Sequence, residues 1–306
     1  MTLPIGSAEW IVLDTSIVRG LIAGEPDAID LAALSVVQGK HPIGLADGAP
    51  IEIMDWLLKR ASDDVLARVR PALERLTPLL DPEFPIAPGP GNASAFAGLA
   101  PYREGHNRRD MSRFLKSLWL RVQTINSRED ISRPLRFRDS GGNECVRTFL
   151  GTDEMLKTMQ NGWMVHDIAK LAQEMTAKDE EYRGLTDQEV EVMARNCHRR
   201  MAERLRIPLD SPAFERVELV SRYLIRCTRF AARPSYTPPK EPSSNAAIDA
   251  ALLNYVIMPA IICTADKRFI NSVREIPLPD RVRVMSTAEL LAWLEKGALP
   301  PNGPCD

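Results

Sequence analysis

Three short apolar runs, at residues 10–13, 43–46 and 260–263, and a fourth strand-like segment at 282–285 constrain this chain most. Each is too short for a helix, and each is followed by a segment of helical period. Strands that are apolar along their whole length and alternate with helices belong to a parallel sheet covered on both faces. Such a sheet places its functional residues at the carboxyl ends of its strands. The sequence therefore predicts an α/β protein with a central, mostly parallel sheet and a site along one edge.

The helical segments between the strands are short. After Asp14, Thr15 and Ser16 supply capping chemistry for a helix through Ile17 and Leu21. Helices follow at 27–38 and 51–60, the second with Glu52 in its first turn. Residues 64–80 repeat Val65, Val69, Leu73, Leu76 and Leu80 at helical spacing. Near the C-terminus, Ser244 or Asn245 caps a helix running to Tyr255, 267–273 forms a short helix, and Ser286 caps 287–294.

Two proline-rich stretches, 81–101 and 233–244, interrupt this alternation and mark boundaries, because proline fixes φ and removes a backbone donor. Between them the apolar periods are helical: Met111 to Ile125, Leu156 to Met175, Val190 to Leu205, and Ala213 to Ala231. Residues 134–149 read as a hairpin around Ser140, Gly141, Gly142 and Asn143. The organisation is a core in two parts, 1–81 and 241–306, with a mostly helical insertion domain at 102–232.

Four acids sit at the ends of core elements: Asp14, Glu52, Asp249 and Asp266. Carboxylates gathered at a sheet edge repel one another unless a cation lies between them, and the usual occupant is a divalent metal. Each has a plainer reading beside this one. Asp14 and Asp266 can cap the helices that follow them, and Glu52 can complement a helix dipole, with Asp47 and Asp55 as competitors. Asp249 lies among alanines and leucines and needs a partner. The hydroxyls of Thr15, Ser16 and Thr264, and Asn245, are candidates to orient the acids or metal-bound waters.

An N-terminal strand ending in Asp14-Thr15-Ser16, an acidic helix start at Glu52, and Asn245-Ala-Ala-Ile-Asp249 come first. A strand leading into Thr264, Asp266, Lys267 and Phe269 follows, then a closing strand and helix. This order resembles a PIN domain over roughly 1–62 and 241–296. The resemblance implies a three-layer α/β fold and a metal-dependent ribonuclease of the kind found in toxin–antitoxin modules or RNA processing. It implies Asp14, Glu52, Asp249 and Asp266 as the acidic cluster, with Asp14 and Asp266 as direct ligands. Hard carboxylate oxygens suit Mg2+ or Mn2+, and two such ions about 3.5–4 Å apart would serve phosphodiester hydrolysis. RNA, including tRNA or another structured RNA, is the implied substrate; an antitoxin or inhibitor protein and a second copy of the chain are candidate partners. An inactive PIN-like scaffold and a structure-specific DNA nuclease are the alternatives.

Charge is segregated. The net charge is only −2, yet residues 103–138 carry +6 and residues 195–240 carry +7, leaving −15 for the rest. Arg108, Arg109 and Arg113 lie on one predicted helix and Arg199, Arg200 and Arg204 on another; with Lys267 and Arg268 they are candidate phosphate contacts. The competing reading is a solvated face with local ion pairs. The five cysteines form no C-x-x-C pair and read as buried thiols. His198, beside two arginines, reads as a surface residue. No apolar stretch is long enough to span a membrane and the N-terminus lacks a secretory signal, so a cytoplasmic protein is expected. No phosphate-binding glycine motif supports a nucleotide cofactor.

Overall fold

A computed structural model describes residues 9–25, 29–87, 106–139, 141–148, 186–231, 249, 251–258 and 260–296. Its centre is a parallel sheet of four strands, β1 (Trp10–Leu13), β2 (Ile43–Leu45), β5 (Ala260–Cys263) and β6 (Val284–Met285), in the order β2-β1-β5-β6. β1 lies between β2 and β5: Ile11 is opposite Ile43 on one side and Ile261 on the other. All strand residues are buried, as expected of a sheet covered on both faces.

The first proline-rich stretch contributes to this sheet. Ile86 bridges Leu45 in parallel, with the Leu45 N–H donating to the Pro85 carbonyl at 3.0 Å and the Ala87 N–H to the Leu45 carbonyl at 2.7 Å. Proline is tolerated there because this is the edge of the sheet and Pro85 supplies only its carbonyl. Gly44 permits the close approach: a Cβ at that position would lie 3.2 Å from Ala87 N and from Phe84 O.

The helices of the core are α1 (Thr15–Ala23), α2 (Leu31–Val37), α3 (Ala49–Arg60) and α4 (Asp63–Leu76), then α9 (Lys267–Arg274) and α10 (Thr287–Lys296). Several boundaries differ from the sequence-based expectation. The cap of α1 is Asp14, whose carboxylate accepts from the Thr15 and Ser16 N–H groups, and not a hydroxyl of Thr15 or Ser16. α2 starts at Leu31 because Asp30 caps it. α4 ends at Leu76, and a 3₁₀ turn containing Pro78 follows. The last strand has two residues, since 279–283 form a 3₁₀ turn. The helix through Tyr255 finishes as a 3₁₀ turn over Asn254–Val256.

The middle of the chain supplies α5 (His106–Gln123), α6 (Arg128–Ser132), the antiparallel hairpin β3 (Leu135–Arg138) and β4 (Glu144–Arg147), and α7 (Asp187–Leu205) with α8 (Pro212–Ala231). The hairpin forms where the glycines predict it, with Gly142 at φ 85°. α5 buries Phe114, Leu115, Leu118, Trp119 and Val122 against α3, α4 and β3. α7 and α8 pair antiparallel: Arg222 reaches Glu191 near one end, and His198 stacks on Phe214 near the other. His198 is thereby buried, its Nε2 2.7 Å from the Phe214 carbonyl, and is not the surface residue its basic neighbours suggest. Residues from these middle elements join the same apolar cluster as the sheet. The predicted stripe from Leu156 to Met175 lies outside the described residues.

Cys263 is buried, but Cys145 and Cys197 are only half-buried; all three are free thiols. Among the described residues no helix is long and apolar enough to cross a membrane.

Candidate active site at the carboxyl edge of the sheet

The chain leaves β1 for β2 on one side and returns through β5 on the other. β1 and β5 therefore form the topological switch point of the sheet, and in sheets of this kind functional residues gather at the carboxyl ends of such a strand pair. Asp14 and Thr264 are the first residues after these two strands. The Asp14 N–H extends the ladder by donating to the Cys263 carbonyl at 2.9 Å.

Hydroxyls stitch the two loops together through Asp14. Its Oδ2 accepts from Ser16 Oγ at 2.6 Å and from Thr264 Oγ1 at 2.7 Å, while its Oδ1 accepts from the Thr15 N–H at 2.7 Å. Ser16 Oγ also accepts from the Ala265 N–H at 2.9 Å. Thr264 is fully buried, so this pairing meets its need for a partner in the interior. The short side chains at 15, 16 and 264 thus orient carboxylates as their residue types suggest, although Asp14 itself caps α1.

Glu52, in the first turn of α3, is joined to the same loop because Thr15 Oγ1 donates to its Oε2. Of the competing acids, Asp55 pairs with Lys59 at 3.0 Å. Asp47 is buried, and its backbone N–H donates to the Tyr255 hydroxyl at 2.9 Å, which in turn donates to the Ala87 carbonyl at 3.1 Å. Asp266 caps α9, with its Oδ1 accepting from the Arg268 and Phe269 N–H groups at 2.8 and 3.0 Å. Both bonds fall on Oδ1, so the cap does not use Oδ2. Asp249 approaches from the segment before β5, and Asn245 lies outside the described residues.

The acids also act on one another through their charges. Burial raises Glu52 to about 7, with the Asp14 charge adding to the effect and Thr15 and Arg19 opposing it. Burial likewise raises Asp249 to about 7, with Asp266, Asp14 and Glu52 all contributing repulsion. Asp47 is also raised to about 7, by burial first. The four candidate acids are therefore electrostatically one group, drawn from four separate elements.

Two residues of this site carry no clear sequence signal. Arg19 lies one turn beyond Thr15 on α1; its Nη2 donates to the Glu52 carbonyl at 3.4 Å and its charge favours the Glu52 carboxylate. The i,i+4 spacing from Thr15 is the one hint that both meet the same neighbour. Tyr223 of α8 donates to Asp249 Oδ2 at 3.5 Å, and its position in an apolar stripe reads only as core.

The oxygen-only donor set fits a hard divalent cation, which keeps several waters and needs few protein ligands. Among the described residues, no three His, Cys, Asp or Glu side chains stand close enough to hold one ion together. Direct ligation by all four acids is thus not the arrangement present, and water has to complete any coordination sphere.

The basic residues divide into two sets. Arg113 donates to the Asp139 carbonyl. Arg121 donates to the carbonyls of Asp130 and Arg133, both at 3.1 Å, and Arg128 to that of Ala61 at 2.7 Å. Arg222 bonds Glu191 and Glu218. These arginines fasten the middle helices, in keeping with local pairing. Arg199, Arg200, Lys267 and Arg268 are exposed. The side chains of Arg108, Arg109 and Arg204 lie outside the described residues.

The raised acids make stability pH-dependent. Unfolded, Glu52, Asp249 and Asp47 ionise at ordinary carboxylate pH; folded, they hold protons to about 7. Between these limits the folded state binds more protons, so stability falls as pH rises from about 4 to about 7 and then levels. In chelator, the melting temperature is expected to drop across this window, and Mn2+ is expected to recover it at pH 8 far more than at pH 5. A chelated protein whose melting temperature is flat from pH 4 to 8 would contradict the buried, mutually repelling acids.

Comparison of the chain with protein-family models, with curated proteins and with solved structures returns no match.

Proposed function

We propose that this protein is a PIN-like, metal-dependent endoribonuclease, its helical middle segment inserted between the two parts of a nuclease core. The observation that carries this reading is the convergence of Asp14, Glu52, Asp249 and Asp266 on the switch point of a parallel sheet, where burial first and mutual repulsion second raise Glu52 and Asp249.

Mg2+ or Mn2+ would be held by Asp14 and Asp266, with Glu52 and Asp249 completing the site through bound water. When bound, such an ion polarises a phosphodiester and makes a bound water a better nucleophile. The chain's own groups supply the rest. Ser16 and Thr264 fix the orientation of Asp14 by donating to one of its oxygens, and Thr15 does the same for Glu52. Arg19 supplies positive charge beside Glu52. Glu52 and Asp249, which hold protons near neutral pH when no cation is bound, would give them up as the ion binds. Exposed Lys267 and Arg268, one and two residues after Asp266, and Arg199 and Arg200 on α7 would contact phosphates without reading sequence.

Purified protein is expected to cleave RNA in Mg2+ or Mn2+ and to stop in excess chelator, with Asp249→Asn folded but inactive. Metal binding without cleavage of RNA or of single-stranded or flap DNA would point instead to the scaffold reading. Cleavage indifferent to chelator would remove the metal from the proposal altogether.

A further inference from the structure

Helix α8 docks on the two elements that carry Asp249 and Asp266, and it does so through side chains on one face. Arg216 Nη1 donates to the Ile257 carbonyl at 3.1 Å, on the segment that carries Asp249. Seven residues later on the same face, Tyr223 donates to Asp249 Oδ2 at 3.5 Å and sets its ring edge-on to Phe269 of α9, with centroids 5.6 Å apart. Three residues further, Arg226 pairs with Glu275, the C-cap of α9. The spacing of 216, 223 and 226 is that of one helical stripe.

Tyr223 sits between the two acid-bearing elements. It is 3% exposed, so its hydroxyl is in the interior, and the packing of its ring on Phe269 fixes the direction in which that hydroxyl faces Asp249. Phe269, which its ring meets, lies three residues after Asp266 and donates its own N–H to that carboxylate. One side chain of α8 therefore touches Asp249 directly and the helix capped by Asp266 through packing.

We infer that α8 is part of the nuclease site and that Tyr223 is a positioning residue for Asp249, setting its carboxylate relative to Asp266. The inference rests on the nuclease reading above and gives the helical middle segment a specific role, because side chains of α8 contact both elements that carry Asp249 and Asp266. Tyr223 touches neither substrate nor reacting atoms in this role, so its loss affects turnover and cation affinity more than substrate binding.

The test compares wild type, Tyr223→Phe and Phe269→Leu by calorimetric titration with Mn2+ and by steady-state RNA cleavage. Tyr223→Phe keeps the ring against Phe269 and removes only the hydroxyl. It is expected to weaken Mn2+ binding about tenfold and lower kcat about tenfold, with KM within about twofold of wild type. Phe269→Leu loosens the same packing but keeps the hydroxyl, and is expected to retain Mn2+ affinity better than Tyr223→Phe. Tyr223→Phe with wild-type affinity and kcat overturns the inference while an active wild type leaves the nuclease reading standing. Equal losses in the two variants reduce Tyr223 to packing and overturn it too. A wild type that neither binds Mn2+ nor cleaves RNA overturns both.

Discussion

Asp14→Asn is expected to leave a folded protein whose RNA cleavage has fallen by a factor on the order of 10³. The substitution is chosen because Asp14 does two things that asparagine separates. As the cap of α1 it needs a short side-chain acceptor, and asparagine is as good a cap as aspartate. The side-chain oxygen still accepts from the Thr15 N–H, and the hydroxyls of Ser16 and Thr264 rotate to meet the new amide. What asparagine cannot supply is the negative charge at the switch point. The loss should therefore appear in kcat and in cation dependence, with a melting temperature close to wild type in chelator. Glu52 and Asp249 give a second readout: with one repelling charge gone, both should ionise at lower pH than in wild type. Retained cleavage in a folded Asp14→Asn protein would contradict the placement of Asp14 at the centre of the chemistry.

Ile11→Ala is expected to cost about 2–5 kcal/mol of stability, read as a shift of the urea midpoint at unchanged slope. Ile11 is fully buried in the central strand and is flanked by Ile43 and Ile261 on neighbouring strands. Covering layers on both faces leave little room for the site to collapse around the lost methylenes, so the cavity persists and its cost adds to that of transfer. The same strand ends at Asp14, and a partly destabilised Ile11→Ala protein below its midpoint should keep its cation affinity. A midpoint within experimental error of wild type would mean that β1 is not the centre of the core.

The strands are legible in the sequence because a strand buried on both faces leaves an uninterrupted apolar run, and 10–13 and 260–263 match β1 and β5 residue for residue. The edge of the sheet is less legible. Ile86 lies among prolines, and its bridge to Leu45 depends on Gly44 letting two backbones approach, which no local pattern announces. The loops after β1 and β5 are legible as acid-plus-hydroxyl motifs, since caps and carboxylate partners draw on the same residue types. Their mutual bonding, across 250 positions between Asp14 and Thr264, is a consequence of topology.

Charge is the poorest guide. Arg121 and Arg128 count toward a basic stretch in the sequence, yet both are engaged by backbone carbonyls of neighbouring elements. His198 stands beside Arg199 and Arg200 and still faces the α7–α8 interface, because one helical step separates a solvent face from a buried one. Tyr223 shows the converse: a residue beside an apolar stripe whose polar tip reaches the Asp249 carboxylate. Aromatic residues with a polar handle are ambiguous in just this way until the opposing element is known.

The proposed nuclease activity depends on cation binding by the acids at the β1–β5 switch point. Calorimetric titration of the chelator-treated protein with Mn2+ at pH 8, beside Asp14→Asn, examines that binding without relying on turnover. Wild type is expected to bind saturably, with proton release where Glu52 and Asp249 give up protons to the ion, and Asp14→Asn is expected to lose that binding. No heat of binding from the folded wild type, or equal binding by the two proteins, would refute a metal site at this edge of the sheet.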